Sequence, residues 1–195
     1  IPKYATLGKL RMKIIYILIA SIFFCPVYAN QGSVTGLDIP RYVSLKSDDS
    51  NLRVGPSKNY PIILKYIVKN LPLRVIEEYD DWRRVEDFDN NKGWIHKSLI
   101  KGYRTGIVNS QEINQIEIYN TSDGVVIGSI EVGSVVLIPK CKLNWCLINK
   151  DDFKGWIDKK YIWGVEQDEE FKVSYFQVIF DYFFRSINFL EKILK

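Results

Sequence analysis

The sequence predicts a mainly β protein: two small β-barrels in tandem, preceded by an export segment and followed by an amphipathic helix. Three observations predict this. Short alternating apolar and polar stretches separated by polar turns run from about residue 41 to 165. One pattern of Trp, Gly-Trp and flanking β-branched residues occurs twice in that stretch. From Phe171 the hydrophobic period changes from two to about 3.6.

The N-terminal element comes first. Met12-Lys13 precedes an uncharged run from Ile14 to Phe24, closed by Cys25-Pro26 and by the small residues Val27 and Ala29 around Tyr28. A basic start, a short apolar run and a small-x-small exit form a secretory signal peptide. The run falls short of the roughly 20 apolar residues of a membrane span, although an uncleaved anchor stays open. Phe24 stands where a lipoprotein signal would place a small residue. Residues 1–11 lie upstream of Met12, and the whole of 1–29 is read as extension plus signal. Its four basic residues and no acid account for the entire net charge of +4, because 30–195 carries 23 basic and 23 acidic residues. The body therefore has no electrostatic footprint of a nucleic-acid binder. Export places the protein in the periplasm or cell envelope. Residues 30–40 are read as a linker.

The repeats follow. Leu73-Arg-Val-Ile leads to Trp82, Arg84-Val85-Glu86, Gly93-Trp94-Ile95 and Ser98-Leu99-Ile100; Val135-Val-Leu-Ile leads to Trp145, Leu147-Ile148-Asn149, Gly155-Trp156-Ile157 and Lys160-Tyr161-Ile162. Polar turns fall at 87–93 and 149–155. Short strands at this spacing argue for small barrels or sandwiches. Cys141 and Cys146 remain after the signal, an even number in an exported chain, and C-K-L-N-W-C suits a disulfide across a hairpin. Half a metal site would lack partners, since His96 is the only His, and a redox pair usually has two intervening residues. Superposing Trp82 on Trp145 places Glu78 on Cys141 and Arg83 on Cys146. One repeat would then use an ion pair where the other uses a disulfide; a surface pair would contribute little.

Asn51-Leu-Arg53-Val-Gly55-Pro56-Ser57-Lys-Asn59-Tyr60-Pro61, followed by Trp82 and Gly93-Trp94-Ile95, resembles the bacterial SH3 (SH3b) domain family. Arg41-Tyr-Val-Ser-Leu-Lys and Gly102-Tyr-Arg-Thr resemble its exported proteobacterial branch. The likeness implies a first SH3-like barrel over 41–108 and a second, degenerate one over 109–165. The second copy has Glu117-Ile-Tyr-Asn-Thr-Ser-Asp-Gly124 where the opening motif would stand. The resemblance implies small barrels that bind cell-wall (peptidoglycan) peptides or envelope protein partners, often beside a catalytic domain. In physical terms, Gly55-Pro56 fixes a turn, Asn51 and Arg53 can tie the strand to it, and Gly93 and Gly155 permit tight bending.

The last element is 166–195. Ser174, Gln177, Asp181, Arg185, Asn188, Lys192 and Lys195 form a polar stripe in an otherwise aromatic and aliphatic run. This predicts an amphipathic helix with a wide apolar face, its N-terminus favoured by the acids of 166–170. Asp181 and Arg185 sit mid-segment and exclude a span. Packing on the barrels, self-association and a membrane surface are the possible covers for 171–195.

No catalytic constellation emerges. His96 lacks a nucleophile to activate. Asp80-Asp81 and Asp151-Asp152 read as solvated turn carboxylates. The four Trp of the repeats are expected mostly in the core. No metal or cofactor is implied, and the chain is expected not to be an enzyme. The expectation is a binding module whose groove on the first copy uses Asn51, Arg53, Tyr60, Trp82 and Trp94, with Arg53 for a ligand carboxylate. The alternative is a scaffold whose C-terminal helix drives oligomerisation or membrane docking.

Overall fold

The computed structural model describes residues 30–173. The signal segment and the predicted helix beyond Val173 lie outside the described residues. A short ribbon of β1 (Asn30–Gln31) and β2 (Asp38–Ile39) opens the chain. The stretch read as a linker is thus partly ordered as strand.

The first barrel holds β3 (Arg41–Leu45), β4 (Ser50–Arg53), β5 (Ile62–Tyr66), β6 (Pro72–Tyr79), β7 (Trp82–Glu86), β8 (Lys92–His96) and β9 (Ile100–Lys101). A 3-10 turn, Lys97–Leu99, joins the last two. The strands pair in the order β5-β4-β8-β7-β6-β3-β9. The second barrel holds β10 (Thr105–Val108), β11 (Gln115–Tyr119), β12 (Val126–Glu131), β13 (Val135–Lys142), β14 (Trp145–Lys150), β15 (Phe153–Asp158) and β16 (Ile162–Trp163). Its order, β12-β11-β15-β14-β13-β10-β16, repeats the first strand for strand. The repeat therefore extends to β10–β12, where the sequence motif is lost, because alternation alone suffices to bury Ile116 and Ile118.

Each barrel has its own core. Leu45, Leu52, Leu73, Val75, Val85 and Ile95 fill the first; Ile116, Ile118, Ile138, Ile148, Ile157 and the two cysteines fill the second. A glycine precedes the second Trp of each repeat because a neighbouring strand crosses there. A Cβ on Gly93 would stand 2.7 Å from Leu52 Cγ, and one on Gly155 2.2 Å from Ile118 Cγ2.

The disulfide forms as the spacing predicts, between directly opposed Cys141 and Cys146. Glu78 and Arg83 are likewise directly opposed, with Arg83 Nε 3.3 Å from Glu78 Oε1. The expectation of a weak surface pair is corrected: both side chains are buried. Glu78 also accepts from Arg41 Nη2 (2.7 Å), Thr35 Oγ1 and the backbone N–H groups of Val34 and Thr35. Burial pushes its carboxyl up, but the hydrogen bonds from Thr35, Arg41 and Val34 outweigh this and hold it at about 2. The loop before β2 caps the pair, which is why charges are tolerated inside.

The acidic run 166–170 is a second correction. It does not open a helix: it leads into β17 (Phe171–Lys172), which pairs with β13. Buried Lys159 donates to the carbonyls of Gln167 and Glu169. Glu169 takes a bidentate pair from Arg104, and Glu170 accepts from the Leu143 N–H. Arg104 and the Leu143 N–H thus hold the Glu169 and Glu170 carboxylates, and Lys159 holds the backbone between them.

Residues 31–173 lie within one compact unit. Trp163 of β16 stands edge-on to Tyr42 (5.3 Å) and to Phe88 (5.9 Å) of the first barrel. Ser44 Oγ meets the Tyr103 carbonyl and Thr105 Oγ1, and Arg74 reaches Glu166 at 4.0 Å.

Candidate functional site

Alternation along β4, β6, β7 and β8 sends Leu52, Val85 and Ile95 inward and a second set outward. The register aligns that outer set. Arg53 opposes Trp94, which opposes Arg84, which opposes Glu77. One rung along, Tyr79 opposes Trp82, which opposes His96. Four of the five residues singled out from sequence, Asn51, Arg53, Trp82 and Trp94, thus share one sheet face. Tyr60 lies apart, in the β4–β5 loop.

The roles differ from expectation in two respects. Trp82 is only 9% exposed and His96 packs edge-on against it at 5.3 Å, so it floors the face. Tyr79 is 61% exposed and edge-on to half-buried Trp94 at 6.5 Å. Tyr79 supplies the exposed ring that the sequence reading missed; its position three residues before Trp82, at a hairpin tip, was the available signal. Trp94, Trp145 and Trp156 are half-buried, and Trp82 alone of the four repeat tryptophans is buried, on the outer face rather than in the barrel core.

Arg53 Nη1 donates to the Tyr60 carbonyl at 2.7 Å, which ties the strand to the turn as expected. Gly55 is required by contact rather than by backbone angle: a Cβ there would lie 2.7 Å from three atoms of the Tyr60 ring. Arg84 pairs with Glu77 at 3.1 Å. Asp81 lies below the ordinary range because Lys97 donates to it at 2.7 Å. It is therefore paired, not merely solvated. Asp87, in the polar turn, is buried and accepts from Tyr66 Oη, the Asp89 and Asn91 N–H groups and Asn91 Nδ2. Burial and Asp87 push the Tyr66 hydroxyl up. Among the described residues, no three His, Cys, Asp or Glu side chains converge as a metal site.

A strand order repeated around two separate cores, with an aromatic and arginine-lined outer face on the first, defines a tandem small-barrel protein. The family model for the bacterial SH3 domain matches residues 46–102 and 121–164, together more than half of the chain. The chain belongs to the bacterial SH3 domain family. The second match begins after β11, so the structural repeat is longer than the matched one. No curated protein matches the chain. Solved structures that it matches include NlpC2 and NlpC1 from Trichomonas vaginalis, each at 13% identity and a TM-score of 0.27. The alignments cover 64% and 68% of this chain and 48% of each of those chains, so it spans about half their length. A similarity that low carries no inference.

Proposed function

We propose that the chain is a non-catalytic, exported binding protein whose first barrel recognises cell-wall peptide through its outer sheet face. The observation that carries this reading is the alignment of Arg53, Trp94, Arg84, Tyr79 and Trp82 on one face. Aromatic rings stack on peptide or sugar planes, and guanidinium groups meet carboxylates in pairs. Family membership supports a binding role, and the disulfide supports an oxidising envelope compartment. A pulldown on purified peptidoglycan tests the proposal. Protein should pellet with the sacculi, and Tyr79→Ala with Trp94→Ala should weaken retention by about tenfold or more. Protein remaining wholly in the supernatant overturns the cell-wall reading.

A further inference from the structure

The equivalent face of the second barrel has a different chemistry. Strand register places Lys140 and Lys142 of β13 opposite Leu147 and Trp145, and Leu147 opposite Trp156. Lys154 flanks Trp156 on β15, and Lys172 of β17 lies opposite Lys140. Four lysines from three strands therefore ring two half-buried tryptophans. None of the four makes an ion pair among the described residues. Lys140 and Lys142 instead lie over the Trp156 ring, at 6.0 and 5.3 Å. The two acids on β11 and β15 of that face are engaged: Glu117 accepts from Tyr119 Oη, and Asp158 pairs with Lys160. The first barrel has Glu77 and Tyr79 in place of the β13 lysines, and its Lys92 is paired with Glu86. The cluster of lysines without ion pairs is thus particular to the second copy among the described residues.

The chain leaves this same face at Lys172. The sequence from Ser174 onward is the aromatic and aliphatic run with its polar stripe, beginning Tyr175-Phe176. We propose that the lysine–tryptophan face of the second barrel docks on an anionic lipid bilayer. Lysines on a flat sheet face are drawn to acidic headgroups. Indole rings sit well at the headgroup level, and an adjacent apolar run has hydrocarbon to enter. A soluble polyanion would satisfy the lysines but would offer the exposed parts of the indole rings no interface to enter.

Co-sedimentation of the full chain with vesicles tests this. Binding is expected to phosphatidylglycerol-containing vesicles, to fall with salt, and to be absent with pure phosphatidylcholine. The triple variant Lys142→Glu, Lys154→Glu and Lys172→Glu should lose about tenfold or more in partitioning. The matched triple Lys46→Glu, Lys58→Glu and Lys69→Glu on the first barrel should stay within about twofold, since its charges lie off the face. Replacing the same three second-barrel lysines by Arg should preserve binding, which separates charge from folding. Equal loss in both Glu triples, equal binding to the two vesicle types, or lysine-dependent binding to polyphosphate as tight as to vesicles would each overturn the proposal.

Discussion

Glu78 shows how one residue can be placed by a repeat yet not understood from it. Its opposition to Arg83 is legible, because the offset to the Cys141–Cys146 pair fixes the register. Its burial is not, because the cover comes from Thr35 and Arg41, about 40 residues away in sequence. Glu78→Gln should destabilise the fold by about 3–5 kcal/mol in urea titrations, since Arg83 and Arg41 would be left facing a neutral partner. The pH dependence has a definite sign. The carboxyl lies at about 2 in the fold against an ordinary 4.5. Its contribution, roughly 3 kcal/mol, is therefore complete above pH 4.5 and drains away as pH falls from there toward 2. The Gln variant should lack that acid limb in thermal melts across pH; an unchanged limb would assign it to other carboxylates.

At the level of elements, β8 and β15 carry the same lesson in two side chains. Gly93-Trp94 and Gly155-Trp156 mark both strands from sequence alone. The reason for the glycine, a neighbouring strand crossing close by, is visible only in space. Gly155→Ala should cost about 1–3 kcal/mol by overpacking against Ile118, read as a lower midpoint in urea titrations. The β13–β14 hairpin is closed by its disulfide, and reduction should lower stability by about 2 kcal/mol, the loop-closure value for so short a link. Dithiothreitol should therefore lower the melting temperature of the native chain and leave that of Cys141→Ser with Cys146→Ser unmoved. The acids just after Val165 do not signal a helix start, because Glu169 finds its partner in Arg104 and Glu170 in the Leu143 N–H, while Lys159 holds the backbone carbonyls of Gln167 and Glu169. Local charge patterning cannot reveal such distant donors.

At the level of the molecule, the tandem arrangement was legible because two cores need two sets of alternating strands. The junction was not, because Trp163 lies outside the repeated pattern. It meets Tyr42 and Phe88, while Tyr42, whose hydroxyl burial and then Glu166 push up to about 12, sits beneath Arg104. Trp163→Ala should remove about 2 kcal/mol of packing and turn a single calorimetric transition into two. A variant that still melts in one step would mean that the remaining polar bridges couple the barrels.

The exchange of Glu78–Arg83 for Cys141–Cys146 at matching positions gives the two barrels different sensitivities. A reductant leaves the ionic fastener of the first barrel intact and opens the covalent one of the second. Acid does the reverse, since protons neutralise Glu78 and leave the disulfide untouched.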